Sequence, residues 1–182
     1  MKQVIYKAMI DYEKEEKWLN ELAAKGMHFI HYTWCRYLFE EGKPGEYIYR
    51  IELLKHHARH PESVAYIKFM EELGIECVST YLYWAYFRKK AAEGPFDLFT
   101  DYDSKITHYN RVSAFSAIGF VLTAVAGTIN VVIPFSLHGD AASSFNLIIG
   151  TVDLVLALLF APIYFSYRRK IRKLKTDRQL RE

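Results

Sequence analysis

Cysteine is scarce in this sequence, which contains two among 182 residues. Cys35 and Cys77 lie far apart and belong to no Cys-x-x-Cys or Cys/His spacing of the kind that binds zinc. Two isolated cysteines exclude a disulfide framework. We expect both thiols to be reduced in a cytoplasmic domain.

Catalytic signatures are also missing. The sequence has no G-x-S-x-G, P-loop, G-x-G-x-x-G or H-E-x-x-H motif. An enzyme of a known type needs a nucleophile, a base or a cofactor-binding loop in such an arrangement. We therefore expect no catalytic residues, no cofactor and no enzymatic activity.

Metal-binding spacings are weak. His56, His57 and His60 fall within five residues, and Glu62 follows them. Imidazole and carboxylate groups are common zinc ligands. However, no second histidine cluster accompanies these residues, and they lie in a polar insertion. We interpret the segment as a solvated loop and expect no metal site.

A surplus of positive charge is missing from the first 111 residues, which carry 16 Lys and Arg against 17 Asp and Glu. Nucleic-acid-binding domains cluster basic residues on one face. We therefore expect no direct binding of nucleic acid. The net charge of +3 arises from residues 167–182, where eight basic side chains face two acidic ones.

Two long apolar runs are present, at residues 112–136 and 145–166. Neither contains Lys or Arg, and Asp153 is the one formal charge within them. About 20 apolar residues are enough for a helix to cross a membrane, and the eight residues between the runs can only form a short loop. The sequence predicts a transmembrane hairpin. The expected division is a cytoplasmic domain at 1–104, the hairpin at 105–167 and a basic tail at 168–182.

The distribution of basic residues predicts the orientation. Eight Lys and Arg residues follow the second apolar run, whereas the loop at 137–144 has none. By the positive-inside rule, both termini are cytoplasmic and the protein is a two-helix protein of the plasma membrane. We expect part of the tail to face anionic lipid: Arg168, Arg169, Lys170, Arg172 and Lys173. The alternative is that the tail docks an acidic partner.

Placing the charged side chain of Asp153 inside a membrane is unfavourable in free energy. We therefore expect this side chain to face the other helix and to have a hydrogen-bonding partner. In an antiparallel hairpin Asn130 lies at nearly the same depth, which predicts a hydrogen bond between these two side chains. Thr128 is the next choice. The pair then holds together the hairpin or a homo-oligomer of hairpins. The functional alternative is a proton or cation site.

The cytoplasmic part contains an internal repeat. Residues 47–53 (YIYRIEL) match residues 4–10 (VIYKAMI) at an offset of 43, and after a five-residue insertion Tyr66 and Gly74 match Trp18 and Gly26 at an offset of 48. We infer a duplicated β-α-β-β unit, with repeat one at about 3–42 and repeat two at about 46–90. The predicted fold class is α+β, an antiparallel sheet with two helices followed by the two-helix transmembrane hairpin.

Aromatic residues crowd the predicted strands. We expect one face of the sheet to bind a flat apolar ligand or a partner. Tyrosine also suits half-buried strand positions in general, which is the structural alternative. The residues expected on this face are Trp34, Tyr37, Tyr47, Tyr49, Tyr83, Trp84 and Tyr86.

Several motifs resemble the bacterial domain-of-unknown-function family 2812. They are EEKWLNELAAKG at 15–26, FEEGKPGEYIYR at 39–50, YFRK at 86–89 and FTD at 99–101. The resemblance covers about residues 3–110. It implies a membrane-anchored protein that is often encoded beside a PadR-like transcriptional repressor, and it implies no known activity. At the level of fold alone, the repeat is also similar to gyrase-inhibitor-like effector-binding domains.

We therefore expect a non-enzymatic, membrane-tethered binding or regulatory module that recognises a protein partner, such as the PadR-like repressor, or a small apolar ligand. The alternative is an oligomeric membrane transport or stress-tolerance component that depends on Asp153.

Overall fold

A computed structural model describes residues 1–136 and 141–180. The chain divides into two compact units, Met1–Thr100 and Asp101–Glu182. The first unit contains all the strands, and the second contains two long helices.

The first unit has the element order β-α-β-β twice. Its elements are β1 (Lys2–Tyr6), α1 (Tyr12–Ala23), β2 (Met27–Thr33), β3 (Arg36–Glu41), β4 (Tyr47–Leu53), α2 (Pro61–Glu72), β5 (Glu76–Tyr81) and β6 (Trp84–Lys90). A single 3-10 turn, Ala91–Glu93, follows β6.

The α+β fold class is confirmed. All strand pairs are antiparallel, and the strands form two three-stranded sheets with the orders β1-β3-β2 and β4-β6-β5. The two sheets meet where β2 lies beside β5. There the backbone N–H of Tyr32 donates to Oγ of Ser79 at 3.2 Å, and the rings of Tyr32 and Tyr81 are 5.1 Å apart.

The start and end of α1 follow from local chemistry. Asp11 is the N-cap and accepts a hydrogen bond from the backbone N–H of Glu13 at 3.1 Å. Gly26 ends the helical segment with a φ of +83°, and a Cβ at this position would lie 2.7 Å from the backbone oxygen of Gly42. Only glycine fits both the left-handed conformation and this close approach.

Each helix covers one face of its own sheet. Trp18 of α1 packs edge-on against Tyr37 and Phe39 of β3, with ring centroids 4.9 and 5.7 Å apart. Tyr66 of α2 packs in the same way against Phe87 of β6 at 6.3 Å. The core under α2 consists of Leu54, Ala58, Met70, Ala85, Phe87 and Phe96.

The α1 helix also covers the free edge of β4. The side-chain amide of Asn20 bonds both backbone groups of Tyr49, and Oε2 of Glu16 accepts from the backbone N–H of Ile51 at 2.9 Å. In repeat two, Lys68 stands at the position of Asn20. The two repeats therefore use matching helices differently.

The second unit consists of α3 (Tyr102–Ser136) and α4 (Ala141–Gln179). These antiparallel helices are long and apolar enough to cross a membrane. Both are longer than the predicted 112–136 and 145–166. Asp101 starts α3 early, because its Oδ1 accepts from the backbone N–H of Ser104 at 2.8 Å. The predicted loop at 137–144 lies partly outside the described residues.

Candidate functional site

A buried carboxylate lies at the centre of the first unit. Glu15 of α1 is only 7% exposed. Its Oε1 accepts hydrogen bonds from the hydroxyls of Tyr37 and Tyr86, each at 2.8 Å. Tyr37 belongs to β3 and Tyr86 to β6, so this one oxygen connects the two repeats.

Aromatic rings surround this carboxylate. Tyr32 lies 4.7 Å from Tyr37 and 5.5 Å from Tyr86, measured between ring centroids. Phe29 lies 5.2 Å from Tyr86. We call Glu15, Phe29, Tyr32, Tyr37 and Tyr86 the Glu15 cluster.

Electrostatics keep the cluster in one hydrogen-bonded state. Burial raises the pKa of Glu15, and the two hydroxyl donors oppose this rise. Burial and the neighbouring carboxylate also raise the pKa of Tyr37 and of Tyr86, so both phenols stay protonated and donate. The arrangement can hold a carboxylate in the interior, but all three polar groups are already occupied by one another.

The predicted aromatic face is not a continuous open surface. Tyr37, Tyr49 and Tyr86 are buried, because the face of the second sheet that carries Tyr49 and Tyr86 packs against repeat one. Tyr47 and Trp84 are half-buried. Trp34 and Tyr83 remain exposed, and they lie at the hairpin turns rather than within the strands.

The two hairpin turns form an exposed apolar surface. The exposed fractions are 76% for Trp34, 53% for Leu82 and 41% for Tyr83. Trp34 and Leu82 also have positive φ angles, +37° and +54°, which are uncommon for residues other than glycine. Tyr32 near the end of β2 lies 5.1 Å from Tyr81 at the end of β5, measured between ring centroids, which places the turns that follow these strands at the same end of the first unit. We call Trp34, Leu82 and Tyr83 the turn surface.

The β4–α2 segment holds the second hairpin turn in place. The backbone N–H of Leu54 donates to the carbonyl of Tyr83 at 2.8 Å, and that of Ala58 donates to the carbonyl of Leu82 at 2.9 Å. The conformation of Leu82 is therefore fixed by the fold. This stabilisation explains how a strained apolar turn persists in solvent.

Sequence reasoning missed Glu15 and Leu82. The signal for Glu15 was its spacing, because it lies four residues before Leu19 and eight before Ala23 on the buried stripe of α1. A carboxylate on an apolar stripe indicates a buried partner. Leu82 had no comparable signal, since its exposure depends on where the second turn lies.

The histidine segment converges in space. Nε2 of His56 lies 3.3 Å from Oε2 of Glu62, and the rings of His56 and His60 stack with centroids 4.3 Å apart. One ligand atom from each of these three residues lies within 4.8 Å of the others. The sequence predicts a solvated loop here, and a turn of that segment brings His56 and His60 together.

No hydrogen bond joins the predicted intramembrane pair, Asn130 and Asp153, within the described part of the chain. Nδ2 of Asn130 donates to the carbonyl of Ala126 in its own helix at 3.0 Å. A Cβ on Gly150 would lie 2.9 Å from the oxygen of Gly127 and 3.0 Å from Cβ of Asn130. Gly150 therefore lies opposite Asn130, and Asp153 is almost one turn away. Helix packing at two glycines decided this register.

The basic tail is helical. The α4 helix continues through Gln179, with Tyr167 and Ile171 buried in the second unit and Arg168, Arg169, Arg172 and Lys173 exposed. Nζ of Lys170 lies 4.8 Å above the ring of Tyr167. Arg178 forms an ion pair with Asp103 of α3. The contact with lipid stays a prediction.

The protein is an α+β domain with the element order β-α-β-β twice, followed by two helices long and apolar enough to cross a membrane. The chain belongs to the family described as proteins of unknown function (DUF2812), whose model matches residues 11–121. No curated protein and no solved structure matches the chain.

Proposed function

We propose that the protein is a membrane-anchored, non-enzymatic binding module that recognises a protein partner through the turn surface. The exposure of Trp34, Leu82 and Tyr83 on the two hairpin turns is the observation that carries this proposal. Tryptophan and tyrosine supply much of the binding energy in protein interfaces. A fixed backbone lowers the entropy cost of ordering them on binding.

A protein partner fits this geometry better than a small apolar ligand. The aromatic rings that were expected to hold a ligand are partly buried, and the hydroxyls of Tyr37 and Tyr86 are committed to Glu15. The three residues of the turn surface instead lie on hairpin turns, which project from the ends of the strands. A projecting apolar surface suits contact with another protein, whereas small ligands occupy concave sites.

The proposed absence of enzymatic activity is supported by the state of two side chains, Cys77 and Glu15. Burial raises the pKa of the Cys77 thiol to about 12, so the thiol is protonated at neutral pH. The carboxylate of Glu15 already accepts two hydrogen bonds from structural tyrosines. Neither group is prepared for catalysis.

The proposed location is the plasma membrane with both termini in the cytoplasm. The support is the eight basic residues that follow the second apolar run and their absence from residues 137–144. The exposed side chains of Arg168, Arg169, Arg172 and Lys173 stand where α4 leaves the membrane. Resemblance makes a PadR-like repressor the first partner to test.

Binding to that repressor is measured with full-length protein in detergent micelles. We expect Trp34→Ala to weaken binding at least tenfold. Tyr6→Ala is the matched control, because Tyr6 on β1 is 75% exposed and Trp34 is 76% exposed. Equal affinity of the wild type and Trp34→Ala would reject the turn surface as the binding site. Absence of binding by the wild type would reject the PadR-like repressor as the partner.

A second candidate is an oligomeric membrane component that depends on Asp153. Asp153 is half-buried in α4, within a stretch where Gly127 and Gly150 bring the two helices close together. A carboxylate in such a position is costly unless it has a partner, which a second copy can provide. Asp153→Asn would then change the oligomeric mass in detergent while Trp34→Ala would not.

A further inference from the structure

The segment between β4 and α2 brings two imidazoles and a carboxylate together outside the turn surface. We propose that this segment binds a divalent metal ion of the zinc class through Nε2 of His56, one ring nitrogen of His60 and the carboxylate of Glu62. We call these three residues the metal site. The proposal is independent of the proposed function.

The distances are close to those that zinc requires. Nε2 of His56 and Oε2 of Glu62 are 3.3 Å apart. Two ligand atoms that each lie about 2.0–2.1 Å from a tetrahedral zinc ion are roughly 3.4 Å from each other. All three ligand atoms lie within 4.8 Å of one another, so a side-chain rotation at His60 completes the set. His60 is exposed, and the contacts that hold its ring are the stack on His56 and one hydrogen bond from the Glu62 N–H to its Nδ1.

His56 provides the strongest sign of a ligand. Its Nε2 is buried and makes no hydrogen bond within the described part of the chain, although it lies close to the Glu62 carboxylate. A buried ring nitrogen without such a bond loses its hydration without compensation. A metal ion shared with Glu62 would supply the missing partner.

The backbone of the segment is fixed, so the ligands do not have to be ordered from a flexible loop. Oγ of Ser63 donates to the carbonyl of His56 at 3.1 Å, and the backbone N–H of His60 donates to the carbonyl of His57 at 2.8 Å. The turn places His60 beside His56, and the first turn of α2 places Glu62 opposite both. Preorganisation of this kind favours binding.

Two interactions compete with the metal, and both are weak. Nζ of Lys55 lies 3.4 Å from the Glu62 carboxylate and lowers the pKa of that group, but both side chains are exposed to solvent. Nδ1 of His60 accepts a long hydrogen bond, 3.3 Å, from the backbone N–H of Glu62. The start of α2 also carries partial positive charge. We therefore expect an exchangeable site with moderate affinity and open coordination positions.

The metal site adjoins the turn surface through the chain. The ring centroids of His57 and Tyr83 are 5.7 Å apart, and the backbone N–H of Ala58 donates a hydrogen bond to the carbonyl of Leu82. Metal binding would therefore stiffen the segment that holds the second hairpin turn.

The test is isothermal titration calorimetry, in which zinc is added to untagged, metal-free, full-length protein in detergent micelles. We expect one zinc per chain, and at least tenfold weaker binding in each of His56→Ala, His60→Ala and Glu62→Gln. His57→Ala is the matched control, because it removes a histidine of the same segment that is not a proposed ligand. Its affinity should equal that of the wild type.

Affinity should also fall in acid, because protonated imidazoles do not bind metal. Absence of zinc binding by the wild type would overturn the proposal, as would full affinity in a His56→Ala, His60→Ala double variant. If an alanine variant fails to fold, X-ray absorption spectroscopy of the zinc-loaded wild type identifies the atoms in the first coordination shell of the zinc. A shell with two imidazoles supports the site, and a shell of oxygen alone rejects it.

Discussion

The side-chain amide of Asn20 makes two hydrogen bonds with the backbone of Tyr49, accepting from its N–H at 2.8 Å and donating to its carbonyl at 3.0 Å. An amide side chain thus takes the place of a neighbouring strand at the edge of β4. This contact satisfies backbone groups that would otherwise be open to pairing with another chain. It also joins repeat one to repeat two.

Removal of this amide should destabilise the first unit. We expect Asn20→Ala to lower the free energy of unfolding by about 2–3 kcal/mol, because two backbone groups lose their partners at once. Lys68→Ala, at the matching position of α2, is the control and should change the free energy of unfolding by less than about 0.5 kcal/mol. Urea denaturation of the full chain in detergent, followed by tryptophan fluorescence, measures both. Equal effects of the two changes would contradict this role for Asn20.

The pKa of Glu15 predicts a pH dependence of stability. Burial raises the folded-state pKa above the ordinary value of 4.5, and burial also raises that of Glu16. A carboxyl whose pKa is higher in the folded state than in the unfolded state stabilises the fold when it is protonated. This stability is fully present at a pH below the unfolded-state pKa, and it is lost as the pH rises through the folded-state pKa. The contribution of these carboxyls to the stability of the wild type should therefore fall as the pH rises above about 4.5.

Glu15→Gln cannot ionise, so it should lose less stability over that range. Its decline in stability should be smaller than that of the wild type, because the raised pKa of the buried Glu15 carboxyl no longer contributes. Glu21→Gln, on the exposed side of α1, should follow the wild-type curve. Denaturant midpoints measured at several pH values test this, and parallel curves for Glu15→Gln and wild type would reject it.

The phenol donors should matter most when Glu15 is ionised. Tyr37→Phe removes one of the two hydrogen bonds to the buried carboxylate and should cost about 1–3 kcal/mol at neutral pH. The cost should be smaller in acid, where the carboxyl is neutral. Tyr6→Phe, at an exposed position on β1, should be neutral at both pH values. A cost for Tyr37→Phe that does not depend on pH would argue against an ionised Glu15.

The contact between the two long helices depends on glycine. Gly150→Val places a side chain where a Cβ already lies 2.9 Å from the oxygen of Gly127, so the helices must separate. We expect the thermal midpoint in detergent, followed by circular dichroism, to fall by several degrees. Val152→Ala, at an exposed position, is the control. An unchanged midpoint for Gly150→Val would contradict the observed helix register.

Chemical labelling tests the proposed orientation. In a background with Cys35→Ser and Cys77→Ser, a membrane-impermeant thiol reagent applied to intact cells should label Ser144→Cys. It should not label Gln179→Cys until the cells are broken. The opposite labelling pattern would place the basic tail outside the cell.

How far the sequence predicts the site can be judged from particular residues. The α1 cap at Asp11 and the turn at Gly26 involve neighbours in the chain, so local chemistry predicts them. The burial of Tyr37, Tyr49 and Tyr86 depends on how the second sheet packs against repeat one. Alternation along a strand shows that two faces differ, but it does not show which face another element covers.

Local patterns in the sequence predict the α+β class, the repeated element order and two helices long enough to cross a membrane. These features follow from short-range periodicity, from capping residues and from the length of the apolar runs. Three features depend on the folded chain: Glu15 lies between Tyr37 and Tyr86, Gly150 lies beside Asn130, and His56, His60 and Glu62 converge. Each depends on contacts between elements, and such contacts are set by packing that no local pattern specifies.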